Sequence, residues 1–517
     1  MALEEKMGVP EFYKGKTIFI TGGTGFMGKV LLEKLLRSCP ELEKIYVLMR
    51  PKKGKHLQER VEQIISIPIF DLIRESNPSQ FKKLIPIDGD VTKLNLGLSK
   101  EDRQLLVNDV NIIFHAAASV RFDEPIKDAI LLNTRGTREV VYLAKEIKNL
   151  YALVHTSTTY CNTDRKYIDE IIYPEHGNWK DSIELAEKYD SHILDVLTAK
   201  YMNKLPNTYT FSKSMAEHVI NDLCKDQIPA IIIRPSIVIS SMKEPVKGWI
   251  DNFNGPVGLL MGAGKGIMRS MYVNPDVRAD YMPVDLVIKA MILVAWDKGL
   301  KKEENNLDIE IYNCSNNMNQ TIYSGEMVYM GRDLLWDQPL ENMLWYPHGS
   351  WITTNFCLHY IKIILYHLIP ALFVDSLLRL TNHKPLLFKI QRKIYIANMA
   401  LAYFLFQEWT FNNTNILKLE EQIPEKDKEN FGYDKYSPLA IPYAFFKNAV
   451  IGAQKYLLKE KTPLEVKRKN ATRMWILSVV FNVCWYIGLA YILYYKFDIV
   501  GVLLNILYKI QTYFVNL

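Results

Sequence analysis

The stretch Thr21-Gly-Gly-Thr-Gly-Phe-Met-Gly28 decides the fold of this chain. It follows the apolar run Thr17–Thr21 and begins the segment Gly28–Arg37, whose apolar residues recur at helical spacing. Glycine at positions 22, 25 and 28 lets the backbone turn tightly and approach a pyrophosphate, which the helix N-terminus attracts. We therefore predict a dinucleotide site formed by this stretch, with contacts from Thr21, Gly22, Gly25, Phe26, Met27 and Gly28.

Apolar runs that alternate with helical patterns continue through the first half of the chain. Five more runs are rich in Ile, Val and Leu, as strands buried on both faces of a parallel sheet are. They are Lys44–Met49, Leu84–Ile87, Asn111–His115, Ala152–Thr156 and Ala230–Arg234. Helical patterns cover Asn133–Lys148 and Asn207–Lys225. This alternation predicts a doubly wound α/β domain of the Rossmann type over residues 15–300, closed by the polar stretch Lys301–Asn306.

The composition excludes several classes of protein. The 517 residues are 49% hydrophobic and 23% charged, so we expect a sizeable core and no global disorder. A net charge of +6, from 63 basic and 57 acidic residues, is too small for this length to indicate a nucleic-acid partner. The six cysteines are scattered without metal-ligand spacing, so we expect a reducing compartment and no metal site.

The second half of the chain differs from the first in composition and in hydrophobic periodicity. Residues 346–460 are rich in aromatic and aliphatic side chains at helical spacing, which predicts a mostly helical second domain. Within it, residues 355–374 are apolar but include His359, Lys362 and His367. These ionisable groups favour a buried or membrane-surface helix over one that crosses a bilayer.

The C-terminal region predicts membrane attachment. Met474–Tyr495 holds 22 residues without a charge, enough to cross about 30 Å of hydrocarbon as a helix. Seven basic residues between positions 455 and 473 precede it, so the positive-inside rule places the preceding domains in the cytosol. A second apolar segment, 499–517, contains Lys509. We expect a protein of the endoplasmic reticulum or peroxisome membrane with the lipid bilayer as a partner; a homo-oligomer stays open.

Basic residues follow the second predicted strand, in Leu48-Met49-Arg50-Pro51-Lys52-Lys53. An acidic residue here would bind the ribose 2′-hydroxyl of NAD, whereas Arg50 suits the 2′-phosphate of NADPH. We therefore predict NADPH as the cofactor. Asp90, with Val91 beside it, follows the third predicted strand. Its carboxylate is either an acceptor for the adenine amine or an ordinary turn aspartate.

Tyr209 and Lys213 carry the chemistry that we expect at this site. They lie four residues apart on a predicted helix and therefore share one face. A lysine ammonium beside the phenol favours the phenolate, so we predict a lowered pKa for Tyr209 and a role as proton donor. His155-Thr-Ser-Thr-Thr-Tyr160 ends the fifth predicted strand, where Ser157 or Thr158 can hydrogen-bond a substrate carbonyl. We favour Ser157 and leave Thr158 open.

The combined pattern resembles the extended short-chain dehydrogenase/reductases. The pieces that match, in order along residues 15 to about 300, are the three glycines, His115-Ala-Ala-Ala118, Asn133-Thr-Arg-Gly-Thr137, Ser157–Thr158, Tyr209 with Lys213, and Arg234-Pro-Ser236. The resemblance implies that Ala116, Ala117 and Ala118 line the cofactor. It also implies that Asn133 supports the active-site network and that Pro235 lies against the nicotinamide ring.

One branch of this superfamily fits the whole chain. The sequence resembles the alcohol-forming fatty acyl-CoA reductases in Phe114-His-Ala-Ala-Ala-Ser-Val-Arg-Phe122, in Tyr209-Thr-Phe-Ser-Lys-Ser-Met-Ala-Glu217, and in its helical domain and apolar tail. The resemblance implies reduction of a long-chain acyl-CoA by NADPH, through an aldehyde, to a primary alcohol. One departure is Ser157-Thr-Thr-Tyr160, where that family usually has Ser-Thr-Ala-Tyr. The alternatives are a sterol-type dehydrogenase/isomerase, a nucleotide-sugar epimerase or other extended reductase, and a non-catalytic membrane-anchored dinucleotide sensor.

Overall fold

A parallel sheet of seven strands forms the centre of the computed structural model. The structure describes residues 6–497 except 52, 53, 55, 203, 305, 317–321, 348–350 and 434–441, together with 501 and 505. The strands are β1 (Thr17–Thr21), β2 (Lys44–Met49), β3 (Leu84–Asp88), β4 (Ile112–His115), β5 (Ala152–Thr156), β6 (Ala230–Pro235) and β7 (Glu310–Cys314). Their spatial order is 7-6-5-4-1-2-3, so the chain reverses direction across the sheet between β1 and β4. This is the doubly wound arrangement that the glycine stretch predicts.

Six of the seven strands match predicted runs, whereas β7 was not predicted. β7 lies beyond Lys301–Asn306, so the predicted domain end at residue 300 separates one strand from its own sheet. Glu310 and Asn313 are polar residues within this strand. Tertiary contacts compensate for both, because Lys298 pairs with Glu310 at 3.1 Å and the Asn313 amide donates to the Ile168 carbonyl at 3.1 Å.

Side chains of the sheet alternate between two cores, as the pleat requires. Ile18 and Ile20 belong to one core and Phe19 to the other. The first core contains helices Phe26–Ser38 and Val284–Leu300, and the second contains Gly136–Glu146 and Thr208–Cys224. The remaining helices before the second half are Val9–Tyr13, Leu57–Ile65, Asp71–Ser76, Lys100–Asp109, Ile126–Ala129, Trp179–Lys188, Ser191–Tyr201 and Pro256–Gly264.

The second half is mostly helical, as predicted. Its helices are Ser324–Asp337, Phe356–Leu380 with a π-helical segment at Ile364–Leu368, Leu387–Leu405, Thr414–Glu421, Glu425–Phe431, Pro442–Gly452 continued by π-helical Ala453–Leu457, and Leu464–Phe497. Short parallel strands tie this half to the first: Thr410–Phe411 pairs with Tyr167–Ile168, and Trp351–Thr353 pairs with Ser270–Tyr272. Two further two-stranded pairs join Ile237–Ile239 to Tyr281–Pro283 and Arg278–Ala279 to Ile322–Tyr323.

Two helices of the described chain are long and apolar enough to cross a membrane. They are Phe356–Leu380 and the segment Leu464–Ile492, and most residues of both lie exposed on the protein. The second contains nearly all of the predicted transmembrane segment 474–495. The predicted second apolar segment, 499–517, lies outside the described residues apart from Gly501 and Asn505.

Candidate active site

The glycine stretch forms a turn between β1 and helix Phe26–Ser38. Gly22 has a φ of +78°, and a Cβ there would lie 2.6 Å from the Ala117 nitrogen. A Cβ on Gly28 would lie 2.2 Å from the Gly22 carbonyl oxygen, so both positions need glycine for a close backbone approach. Gly25 is the N-cap of the helix, so the N–H groups of Phe26 and Met27 belong to its first turn and have no partner within the helix. The turn therefore has the shape and the N–H groups that a pyrophosphate needs.

The end of β4 lies directly against this turn. The Ala116 N–H donates to the Thr21 carbonyl at 3.2 Å, and the Ala117 N–H points to the Thr21 hydroxyl at 3.4 Å. The same hydroxyl hydrogen-bonds His115 Nδ1 at 2.7 Å. Burial lowers the pKa of His115 to about 3, so this ring is neutral at physiological pH. Ala116–Ala118 follow it and lie beside the glycine turn.

The residues predicted to contact the adenosine half of the cofactor, Arg50 and Asp90, follow β2 and β3. Arg50 is exposed directly after β2, and its backbone carbonyl accepts a hydrogen bond from the Arg60 guanidinium. The Asp90 carboxylate accepts from both the N–H and the hydroxyl of Thr92, at 2.9 and 2.8 Å. Asp90 therefore forms an Asx turn through Oδ1, and its contact with the adenine amine stays a prediction. Arg60 is a second basic group here that the sequence did not suggest.

Helix Thr208–Cys224 positions Tyr209 and Lys213. It begins at Asn207, whose side chain accepts from the Thr210 N–H, so Tyr209 lies in the first turn. Lys213 is 2% exposed, and its ammonium donates to the Thr156 carbonyl at 2.6 Å. Burial lowers the pKa of Lys213 to about 8.

The predicted lowering of the Tyr209 pKa is wrong for this structure. Burial raises that pKa, and only a hydrogen bond from the Thr158 hydroxyl lowers it. Lys213 is not among the groups that lower this pKa; its ammonium donates to the Thr156 carbonyl at the end of β5. Tyr209 is therefore a protonated phenol at neutral pH, which is the form that a proton donor requires.

The two hydroxyls after β5 have different neighbours. Thr158 lies against the Tyr209 phenol, and its Oγ1 also accepts from the Tyr160 N–H at 3.2 Å. The Ser157 hydroxyl instead lies beside the Glu217 carboxylate, whose pKa it helps to lower. The geometry thus places Thr158 rather than Ser157 beside Tyr209. Which of the two hydroxyls contacts the substrate carbonyl stays a prediction.

Asn133 joins the segment after β4 to helix Thr208–Cys224. Its carbonyl oxygen accepts from the Ser119 N–H at 2.9 Å, and its amide donates to the Ser212 hydroxyl at 2.9 Å. It lies in the π-helical segment Ile130–Arg135, where a wider turn replaces the first part of the predicted helix. Asn133 therefore fixes the position of the helix that carries Tyr209.

A buried ion pair below the site was not recognised from the sequence. The Arg234 guanidinium pairs with Glu217 at 2.6 Å, and it also donates to the carbonyls of Asp169 and Ile171. Glu217 follows Lys213 by four residues, so helical spacing alone places it on the same face. Pro235 ends β6 directly after Arg234 and is buried in the sheet beside this pair.

Comparisons with known proteins agree with this geometry. Models of the family described as "Male sterility protein" match residues 20–291 and 366–460. Fatty acyl-CoA reductase 1 of Rattus norvegicus is 39% identical over 475 residues, which cover 92% of this chain and 91% of the rat protein. The chain belongs to the fatty acyl-CoA reductase family. Fatty acyl-CoA reductase wat of Drosophila melanogaster is 37% identical over 88% of this chain and 87% of its own length.

Solved structures show that this reductase shares its fold with other reductase domains. The terminal R domain of the myxalamid PKS-NRPS pathway has a TM-score of 0.57 at 19% identity, covering 85% of this chain and 90% of that domain. The R domain of a nonribosomal peptide synthetase from Mycobacterium tuberculosis has a TM-score of 0.56 at 18% identity, covering 87% and 94%. These likenesses concern the fold, whereas the oxidoreductase family follows from the closer relatives.

Aromatic rings connect Tyr209 of this reductase to an apolar cavity. Phe122 stacks on Tyr209 at 5.9 Å between ring centroids, and Phe404 contacts both Phe122 and Tyr160, at 5.2 and 5.5 Å. Tyr160 and Phe404 line a cavity of about 150 Å³. Its wall is mostly aliphatic, includes five methionines, and comes from both halves of the chain. The sequence could not indicate this cavity, because its lining residues are scattered between positions 160 and 453.

Proposed function

We propose that the protein reduces long-chain fatty acyl-CoA to primary fatty alcohol with NADPH, through an enzyme-bound aldehyde and with release of coenzyme A. Family membership supports reduction of a fatty acyl group. The observation that carries the proposal is the position of Tyr209, which has a hydroxyl partner in Thr158 on one side and aromatic rings leading to an apolar cavity on the other. A long acyl chain is the substrate part that such a cavity suits.

Different residues of the site have different roles in the proposed carbonyl reduction. Bound NADPH, held by the glycine turn and Arg50, would supply the hydride for each of the two reductions. The Thr158 hydroxyl donates a hydrogen bond to the carbonyl oxygen, and Tyr209 gives that oxygen its proton. Lys213 keeps a positive charge beside them. The first reduction gives a hemithioacetal, whose C–S bond breaks while the oxygen proton passes to sulfur, so that coenzyme A leaves as the thiol and the aldehyde remains. The same donors then serve the aldehyde in the second reduction.

The glycine turn and Arg50 support the cofactor assignment. A Cβ would fill the space at Gly22 and Gly28, and Arg50 lies exposed where a 2′-phosphate is expected. The test compares NADPH with NADH in Arg50→Ala. A charged hydrogen bond is worth roughly 1.5–3 kcal/mol, so KM for NADPH should rise about 10- to 100-fold. The KM for NADH should stay unchanged, and an equal rise for both cofactors would contradict the selector role.

We further propose attachment to an endoplasmic reticulum or peroxisome membrane with the reductase domain in the cytosol; helix Leu464–Phe497 supports the attachment to a membrane. Its charge-free part is long enough to cross a bilayer, and its apolar side chains are exposed on the protein. Basic residues precede it, which agrees with a cytosolic position of the domains before it. Such attachment would hold the enzyme where long-chain substrates partition.

Product analysis tests the reaction. Membranes that contain the protein are given palmitoyl-CoA and NADPH, and hexadecanol, hexadecanal and free coenzyme A are measured. Tyr209→Phe should abolish alcohol formation and leave NADPH binding nearly unchanged, because it removes only the proton donor. Tyr142→Phe, on the exposed surface of helix Gly136–Glu146, is the matched control. Absence of both products over a range of chain lengths, or full activity of Tyr209→Phe, would overturn the proposal.

A further inference from the structure

Helix Phe356–Leu380 buries one residue in every four. The buried positions are His359, Ile363, His367, Ala371 and Asp375. Four residues advance an α-helix by about 400°, which is about 40° more than a full turn. In a regular α-helix the five buried positions would therefore drift around the helix instead of staying on one side. The π-helical segment Ile364–Leu368 has wider turns and keeps these five positions on one side. Three of the five carry polar side chains, so the polar face of this helix points into the protein.

Each polar residue of this face is bonded to the globular part of the chain. His359 Nδ1 lies 2.9 Å from the Ser270 hydroxyl, and His367 Nε2 accepts from the Arg269 N–H at 2.9 Å. Asp375 accepts from three N–H groups at the start of helix Leu387–Leu405, at 2.9–3.0 Å. From His359 to Asp375 the helix rises about 24 Å. It is therefore fixed along most of its length.

Those contacts oppose a membrane-crossing position. A crossing helix needs about 20 residues surrounded by hydrocarbon, where polar groups away from their partners cost several kcal/mol each. Ser270 and Arg269 belong to the same globular part as the cavity. To cross the bilayer, the helix would have to leave both of them.

The opposite face of the helix is apolar and uncovered by the described chain. Its side chains are 43–64% exposed at six positions: Phe356, Tyr360, Ile361, Ile369, Leu372 and Phe373. This helix contacts helix Leu464–Phe497, since the Tyr366 and Tyr486 hydroxyls lie 3.2 Å apart. An uncovered apolar surface of this kind marks an interaction site.

Charge identifies the occupant of this surface. The last turn of this helix, the turn after it and helix Leu387–Leu405 expose basic side chains at Arg379, Lys384, Lys389, Arg392 and Lys393. No acidic residue occurs between Ser376 and Gln407. Basic side chains beside an exposed apolar helix suit the anionic headgroups of a cytosolic leaflet.

We propose that helix Phe356–Leu380 lies in the plane of the cytosolic leaflet, with its apolar face in the lipid and its histidine face on the protein. The proposal rests on the attachment through helix Leu464–Phe497. Helix Leu387–Leu405, which follows it, supplies Leu401 and Leu405 to the apolar cavity. The in-plane helix thus brings the wall of the proposed acyl-chain site to the membrane surface.

Two native cysteines provide the test. Cys357 and Cys484 are exposed, one on each helix, whereas the other four cysteines are buried. The full-length protein is reconstituted into vesicles of phosphatidylcholine and phosphatidylserine and labelled with a fluorophore at one site. Each variant has one exposed cysteine for the label. Cys484→Ser leaves Cys357, and Cys357→Ser leaves Cys484. With both native cysteines replaced by serine, Phe373→Cys, Leu380→Cys or Tyr142→Cys supplies the labelled site. Nitroxide lipids at known depths then quench the label.

An in-plane helix should give one shallow depth, within about 5–10 Å of the headgroups, at positions 357, 373 and 380. Before labelling, a membrane-impermeant thiol reagent enclosed in the vesicles should reach none of the three cysteines, and the Tyr142→Cys label should stay unquenched. A deep label at 373, with 380 reached only from the vesicle interior, would overturn the proposal in favour of a crossing helix. Protection of the labels without lipid quenching would assign the face to a second copy and also overturn it.

The outcome at Cys484 separates the two proposals. If Cys484 is quenched but none of the labels on Phe356–Leu380 is, the in-plane position is wrong and the attachment stands. If Cys484 is not quenched either, the attachment itself is wrong.

Discussion

At the residue scale, the hydroxyls of Ser157 and Thr158 face different partners although they are adjacent in the chain. Thr158→Ala removes the hydroxyl beside Tyr209, and loss of one such donor typically costs about 10²- to 10³-fold in kcat. Thr158→Ser keeps the hydroxyl and should stay within about 10-fold of the native enzyme. Ser157→Ala should lose less than Thr158→Ala, because its hydroxyl lies beside Glu217. The reverse order in kcat/KM would restore Ser157 as the carbonyl contact.

The protonation of Lys213 predicts the alkaline limit of the reaction. Its pKa is lowered by burial to about 8, so the ammonium loses its proton as the pH rises through that value. Tyr209 stays protonated there, because burial raises its pKa. We expect kcat/KM for acyl-CoA, which reports the free enzyme, to fall above about pH 8. The residual activity of Lys213→Arg should lack this decline, since a guanidinium stays charged. A flat profile to pH 10 in the native enzyme would exclude Lys213 as the titrating group.

At the element scale, the close approach of helix Phe26–Ser38 to β1 depends on Gly28. A Cβ there would lie 2.2 Å from one backbone atom and 2.6 Å from another, so Gly28→Ala has to displace the turn. We expect NADPH affinity to fall about 100-fold or more, because a misplaced turn loses several phosphate contacts at once. Gly25→Ala, where the nearest atom is 3.2 Å away, should lose less.

Gly262→Ala is the matched control for this substitution. A Cβ on Gly262 would meet only side-chain atoms, at 3.8–3.9 Å, so binding should be unchanged. Titration of NADPH fluorescence measures all three variants. Equal affinities of Gly28→Ala and the native protein would mean that the turn does not hold the cofactor.

At the scale of the whole molecule, the apolar cavity exists only because both halves of the chain contribute to it. Tyr160, Phe404 and Trp409 gather at one end, whereas Ala449 and Ala453 line another part of the wall. Ala449→Phe fills part of the space. If the acyl chain occupies it, kcat/KM for the longest acyl-CoA substrates should fall about 10-fold and that for shorter ones should change little. Ala199→Phe, on an exposed helix surface, is the control, and an equal loss at every chain length would exclude the cavity as the acyl site.

The sequence by itself determined the doubly wound sheet, the glycine turn, the Tyr209–Lys213 helix and the charge-free C-terminal helix. Each of these features depends on local periodicity or on a steric requirement that is visible in neighbouring residues of the sequence. Only the tertiary structure decided that β7 completes the sheet, that Thr158 rather than Ser157 faces Tyr209, and that Lys213 bonds the Thr156 carbonyl. It also decided where His359 and His367 point. The physical reason is that burial and partners set these outcomes: a pKa depends on desolvation, and a polar side chain in a strand or an apolar helix is stable only where distant residues bond it.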